Sequence, residues 1–325
     1  MKIRRVILYV GVFGIISFVP GNAYPDSFPL APHLLEPEAY SETYHTVLEL
    51  EESIHIQIQF TITNIGIGDR NSMCRVLYVD EKDAWNVERV FNRDGWTFKP
   101  PGQLEIGKCY ITAENNATTI FAEVKNILVS VKLAESISPI KPPGHLIQAG
   151  KHFFNFQILM PWARADVRYD INESTDRSVK GYGCMYHYWV TAWPGDLARQ
   201  WVRVFGMNDA GSFIVISHYP PGINEPAIGS IWLPGEPGPV AFDTLQMENT
   251  TDGNKTLAIL SNNVTYRLAL NKQLYRHAPL EQVGFLGRII RLFTGNWVTR
   301  TYRALLESSG VEGSVPAIVE ITADE

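Results

Sequence analysis

Gly181-Tyr182-Gly183-Cys184-Met185-Tyr186-His187-Tyr188-Trp189-Val190 packs four large aromatic rings and one histidine into ten residues without a proline. Such residues fit the pleated, half-buried surface of a β-strand. Alternate residues of a strand point to opposite faces, so Trp189 shares a parity with Trp193, and Trp201, Arg203 and Phe205 share one a little further on. Trp162, Trp189, Trp193 and Trp201 therefore crowd the middle of the chain. Rings gathered in this way form either the core between two halves or the wall of a pocket, with Arg203 or His187 as the polar group that orients a ligand. A buried Arg203 would require an acid from another strand.

Outward from this segment the dominant signal is period-two alternation in short runs. Ile54, Ile56, Ile58 and Phe60 alternate with His55, Gln57, Gln59 and Thr61. Further runs at Cys74–Asp80, Trp85–Phe91, Thr118–Lys125 and Ile127–Leu133 are separated by turn-forming pieces. Trp201–Met207 and Ser212–Tyr219 flank Asn208-Asp209-Ala210-Gly211, and Thr256–Leu260 and Val264–Leu270 flank Ser261-Asn262-Asn263, as hairpins do. Trp297–Leu305 and Ala317–Thr322 read as closing strands. One helix interrupts the series: Val283, Leu286, Ile290 and Phe293 recur at helical spacing after Pro279 and before Gly295. The fold class expected from this pattern is all-β, a sandwich or barrel with one late amphipathic helix.

At 325 residues the chain exceeds the common single-domain range, and 45% hydrophobic against 19% charged residues supplies material for full cores. A net charge of −6 leaves no basic surplus to neutralise phosphates, so nucleic acid is not an expected partner. Lys2, Arg4 and Arg5 followed by the apolar Val6–Val19, Pro20 and Gly21-Asn22-Ala23 make residues 1–23 an expected signal peptide cut after Ala23. The protein is then exported, to a periplasm or the cell exterior. Residues 24–37, with Pro25, Pro29, Pro32 and Pro37, form an extended lead-in. The polar stretch Asp170–Lys180 marks the expected boundary between an N-terminal barrel at 38–175 and a C-terminal barrel at 176–325. In an oxidising compartment Cys74 and Cys109 could bridge, and three buried thiols are the alternative.

The opening segment resembles the G-x-G-Y-x-D-H-x-W-G motif of the double-lipocalin (calycin) superfamily, which includes carotenoid 1,2-hydratases, AttH-like proteins, fungal Diels–Alderases and yeast survival-factor proteins. Gly181, Gly183, His187 and Trp189 match in register. The strand Tyr40–Thr46, the Trp201-Val202-Arg203 strand and the closing Gly313–Glu320 agree in order. The resemblance implies two lipocalin-like barrels with an apolar cavity at or between them, holding isoprenoid, polyketide-derived or lipid-like ligands. Two positions depart from the motif: Tyr186 stands where the family has Asp, and Val190 where it has Gly. Protonating an alkene suits a carboxylic acid with a raised pKa better than a phenol of pKa about 10.

No Gly-x-Ser-x-Gly nucleophile elbow and no phosphate-binding glycine loop occurs, and the eight histidines show no metal spacing. Neither a metal nor another cofactor is expected. The reading placed first is a carrier or sensor of a hydrophobic small molecule, its ligand held by Tyr182, Tyr186, His187, Trp189, Trp201, Arg203 and Trp162. The alternative is an isomerase, cyclase or hydratase using the same cavity, with His187 and Tyr186 as the candidates for proton transfer. A peripheral membrane contact and the oligomeric state stay open.

Overall fold

The computed structural model describes residues 30–325 apart from 66–67, 115–116, 137–138, 140, 142–144, 173–175, 210, 223–229, 233–239, 250–254, 282–294 and 309–310. The expected signal peptide and the body of the expected helix lie outside the described residues. Of the helix, only a 3-10 turn at Pro279–Glu281 is seen.

The chain folds into two curled antiparallel sheets, a nearly closed barrel followed by a half-barrel. The first is built from β1 (Ser41–Leu50), β2 (Ile54–Thr63), β3 (Asn71–Val79) and β4 (Ala84–Phe91), then the short β5 (Trp96–Lys99), β6 (Gln103–Ile106) and β7 (Cys109–Glu114). It continues through β8 (Ala117–Val124), β9 (Ile127–Ala134), β10 (Leu146–Ala149) and two long strands, β11 (His152–Ile171) and β12 (Arg177–Val190). Strand order is β4-β3-β2-β1-β12-β11-β9-β8-β7-β6-β5, with β10 paired to β11. The second sheet holds β13 (Gln200–Asn208), β14 (Gly211–Tyr219), β15 (Ser230–Trp232), β16 (Val240–Ala241) and β17 (Thr244–Asn249). β18 (Lys255–Ser261), β19 (Val264–His277), β20 (Trp297–Ser308) and β21 (Val311–Asp324) complete it, in the order β16-β15-β14-β13-β21-β20-β19-β18-β17.

The alternation seen along β2 has the expected consequence. Ile54, Ile56, Ile58, Phe60 and Ile62 all turn into the first barrel, where they join Leu48, Val76, Leu104, Ile120, Val131, Met160 and Met185 in one core. Cys74 and Cys109 sit beside each other in that core as free thiols, and Cys184 is a third buried thiol. These side chains pack the interior of the first barrel. Val202, Val204, Phe213, Val215, Leu257 and Val319 build a separate core inside the second sheet. Between the two lies a third cluster of Val47, Phe156, Ile158, Cys184, Tyr186, Phe205, Met207, Ile214 and Ile216.

The expected boundary at 175/176 falls between β11 and β12, which are paired neighbours of one sheet from Phe154↔Val190 to Tyr169↔Arg177. The polar stretch Asp170–Lys180 reads like a linker because it spans the connection between two long strands, where Asn172, Asp176, Arg177 and Ser178 are exposed. The change of sheet comes after Val190, through the short helix Pro194–Leu197 (α1), before Gln200. Trp193 therefore lies past the strand and is exposed, so it does not share a face with Trp189.

The two motif glycines are explained by close approach. A Cβ on Gly181 would lie 2.2 Å from the Glu49 carbonyl oxygen and 2.7 Å from Leu50 Cα, both rigid backbone. On Gly183 it would meet the Leu48 and Leu133 methyls at 2.8 Å. Gly181→Ala is expected to push β12 off β1 and cost about 1–3 kcal/mol by overpacking. Urea unfolding of the two proteins measures this, and an unchanged midpoint would show that β1 and β12 can separate freely.

Candidate functional site

β12 presents different chemistry on each face. Its odd residues Met185 and His187 turn into the first barrel, and its even residues Cys184 and Tyr186 turn toward the second sheet. Register places His187 opposite Tyr44 and Tyr186 opposite His45. Two polar clusters result, back to back.

The first closes one end of the barrel and is centred on Glu42, which is fully buried. Its Oε1 accepts from His187 Nε2 at 2.7 Å and His33 Nδ1 at 2.8 Å, and the Tyr44 hydroxyl, which donates to the Leu30 carbonyl at 3.0 Å, lies 3.4 Å from it. Its Oε2 accepts from the His33 backbone N–H at 2.9 Å and from the Tyr40 hydroxyl. His187 stacks on Tyr44 at 4.1 Å, and His33 on Trp189 at 4.0 Å. Burial works to raise the Glu42 pKa, but the hydrogen bonds from His187 and His33 overcome it and hold the carboxylate well below its usual range. Burial pushes the His187 pKa down, so its imidazole stays neutral. Ligand atoms of His33, Glu42 and His187 lie within 4.8 Å of one another, a donor set able to take a metal ion. His33 comes from the proline-bounded lead-in, nine residues before Glu42, and His187 lies 145 residues after it, so sequence spacing does not reveal the set.

The second cluster occupies the seam between the sheets. Along the first sheet Arg75, Gln59, His45 and Tyr186 form one cross-strand row over β3, β2, β1 and β12. Facing it, Arg203 of β13 pairs with Glu320 of β21, which pairs with Thr301 of β20. Arg203 Nη1 donates to the Tyr186 hydroxyl oxygen at 3.2 Å. The Tyr186 hydroxyl in turn meets His45 Nδ1, and His45 Nε2 meets Gln57 Oε1 at 3.2 Å. Gln57 Nε2 donates to Glu320 Oε1 at 2.8 Å, and its amide also reaches His55, whose Nδ1 lies 2.6 Å from Glu49.

The donors sort themselves. Gln57 donates its amide N–H to Glu320, so its Oε1 accepts the His45 Nε2 proton, and the His45 Nδ1 lone pair then accepts from the Tyr186 hydroxyl and, at 3.3 Å, from Gln59 Nε2. That assignment needs a neutral imidazole, and burial pushes the His45 pKa down to about 3. Burial likewise raises the Tyr186 pKa well above its ordinary value, against the pull of Arg203. Arg203 Nε and Glu320 Oε2 stand 3.3 Å apart, close enough to pair electrostatically. They are not aligned, so neither atom has a hydrogen-bond partner among the described residues. Burial opposes the Arg203 charge, and Glu320 together with Tyr186 and Tyr188 more than restores it.

The structure divides the expected ligand-binding residues between these places. Tyr186 and Arg203 meet in the seam, and Trp201 flanks it, 4.8 Å from Phe154 and 5.3 Å from His218. Phe154 is 5.5 Å from Tyr188, so a half-buried aromatic rim borders the polar row. His187 and Trp189 belong to the barrel end instead. Trp162 and Tyr182 stack on each other at 5.7 Å elsewhere on the seam, Trp162 donating to the Asn208 carbonyl at 2.9 Å. The acid required by Arg203 is Glu320. His45, Gln57, Gln59, Arg75 and His277 carry no motif, and their only sequence signal is polar alternation, which reads as a solvent face.

A separate cleft of about 590 Å³ opens at the other end of the first barrel, among Ser53, Tyr78, Asp80, Trp85, Tyr169 and Arg177. Asp80 is committed there to the Tyr78 hydroxyl and to the Lys82 and Asp83 backbone.

No family profile and no curated protein matches this sequence. Solved structures do match. An AttH-like protein from Nitrosomonas europaea superposes with a TM-score of 0.63 at 12% identity, over 91% of this chain and 99% of its own. CghA, in a structure with a bound compound, gives 0.62 at 12% identity over 89% of each chain. Kievitone hydratase from Nectria haematococca gives 0.57 at 10% identity, over 91% of this chain and 93% of its own. These are lipocalin-like double-barrel proteins, and the likeness is one of fold.

Proposed function

We propose that this protein is an enzyme that moves a proton on a hydrophobic, oxygen-bearing small molecule held in the seam between its barrels. The reaction class is that of a hydro-lyase, isomerase or cyclase. One observation carries the reading: the Tyr186 hydroxyl is buried between a guanidinium that can only donate to it and an imidazole that can accept from it. Tyr186 can deliver its proton to an oxygen or double bond of the ligand. Arg203 then holds the phenolate that forms, and a proton released from the ligand restores the hydroxyl. Phe154, Tyr188 and Trp201 suit the apolar part of such a molecule.

The role expected of a carboxylic acid thus passes to a phenol that burial makes a weaker acid, with the half-buried Arg203 offsetting part of that cost. A double-barrel fold shared with a protein named as a hydratase agrees with this reading and ranks it above the carrier expected first. The residues that hold a ligand would be the same for a carrier, so turnover separates the two. Incubation in D2O with a panel of unsaturated isoprenoid and polyketide alcohols and ketones is expected to give deuterium incorporation or addition or loss of water, read by mass spectrometry. A ligand that binds and is returned unlabelled would establish the carrier instead.

A further inference from the structure

Arg75 stands out in the seam because its charge is not matched. Its side chain lies among Gln59, Asn86, His277, Tyr188 and Tyr275. Nε donates to Asn86 Oδ1 at 2.7 Å and Nη1 to Gln59 Oε1 at 3.4 Å, both neutral acceptors. Among the described residues it has no carboxylate within ion-pair distance. Glu88 is its cross-strand partner on β4 and Glu320 its other acidic neighbour. Glu320 is already engaged by Arg203 and Gln57. Asn86 extends the polar rim to His277 of the second sheet at 3.4 Å. Burial pushes the His277 pKa down to about 3, so this imidazole is neutral and Arg75 is the cation at this end of the seam.

A half-buried guanidinium whose hydrogen-bonded side-chain partners are amide oxygens is only partly compensated, and a bidentate anion is the partner it is shaped for. Arg75, Gln59, Asn86 and His277 are half-buried, so this end of the seam is open to an entering group. We infer that the ligand of the seam is an amphiphile whose ionised carboxylate or enolate seats on Arg75 while its apolar body lies against the aromatic rim. The inference rests on the seam being the ligand site, and it adds the chemical class of the ligand.

Two probes of equal chain length and different head group test it: decanoate and 1-decanol, titrated calorimetrically into the whole protein. Wild type is expected to bind decanoate at least tenfold more tightly than 1-decanol. Arg75→Gln should remove that preference and leave 1-decanol binding unchanged, and Arg75→Lys, which keeps the charge but loses the fork, should retain part of it. Thermal unfolding of each variant verifies that it is folded. Equal binding of the two probes by wild type, or a preference that survives Arg75→Gln in a folded protein, overturns the inference while leaving the seam as an apolar site. Binding of neither probe overturns the placement of the ligand in the seam itself.

Discussion

Glu42→Gln is expected to lower the unfolding free energy by about 3–5 kcal/mol, the range for breaking a buried, fully engaged charged group. Four donors converge on the carboxylate, two imidazoles, the Tyr40 phenol and one backbone amide, while the Tyr44 hydroxyl 3.4 Å away gives its proton mainly to the Leu30 carbonyl at 3.0 Å. Glutamine keeps one acceptor oxygen and turns an NH2 toward groups that donated to the lost one, so two donors face each other in a buried place. The loss reaches beyond the pocket, because His33 belongs to the segment laid across the barrel end and Leu30 of the same segment is part of the barrel core. The pH dependence follows from the signs. The folded Glu42 pKa lies below its unfolded value of about 4.3, so its contribution is complete above that pH and fades as pH falls below it. His45 acts over a higher window. Its folded pKa of about 3 lies below an unfolded value near 6.5, so below that pH it draws protons to the unfolded chain and costs about 1.4 kcal/mol per pH unit. Wild type and variant should therefore lose stability in parallel from pH 6.5 to 4.5, and their difference should close only below that. Urea denaturation at pH 7, 5.5, 4 and 3 measures both. A difference under about 1 kcal/mol at pH 7 would mean that the donors find water as readily as Glu42.

Much of the fold was legible because the core face of a strand announces itself. The isoleucines of β2, the runs that became β3, β8 and β9, and the β13–β14 and β18–β19 hairpins lie where alternation and turn residues put them. The Gly181–Val190 segment carried the architecture for a reason now visible, since Gly181 and Gly183 let β12 press against β1. The site was harder to read, and the reason is the two-layer arrangement. Alternation separates core from the other face, but on β1, β2 and β3 that other face looks at a second barrel. His45, Gln57, Gln59 and Arg75 look like a wetted surface, and only the long-range pairing of β13 and β21 turns them into a buried network. The same rule explains the divided site. Tyr186 and His187 are adjacent in sequence and therefore on opposite faces, one supplying the seam and the other the barrel end.

That separation gives the last prediction its control. Tyr186→Phe is expected to reduce turnover by about 10²–10⁴-fold, the range for removing a positioned general acid, while His187→Phe should act mainly on stability. Phenylalanine keeps the ring against Phe205, 5.5 Å away, and against Tyr188, 6.0 Å away, so the aromatic packing survives. What goes is the atom between Arg203 and His45. Its removal leaves Arg203 Nη1 without its acceptor and the buried His45 Nδ1 with only the Gln59 amide at 3.3 Å, while Arg203 itself is half-buried. Some loss of stability is therefore expected as well, on the order of 1–3 kcal/mol, and activity must be compared at a temperature where both proteins are folded. A phenol that transfers the proton acts on the chemical step, so the fall should appear in kcat with KM little changed. A phenol that only positions the ligand would raise KM instead. Arg203→Met provides the second reading of the same machinery, because a phenolate formed without its cation should be disfavoured even with Tyr186 present. If both variants keep wild-type turnover, the seam is a binding surface and the proton is moved elsewhere.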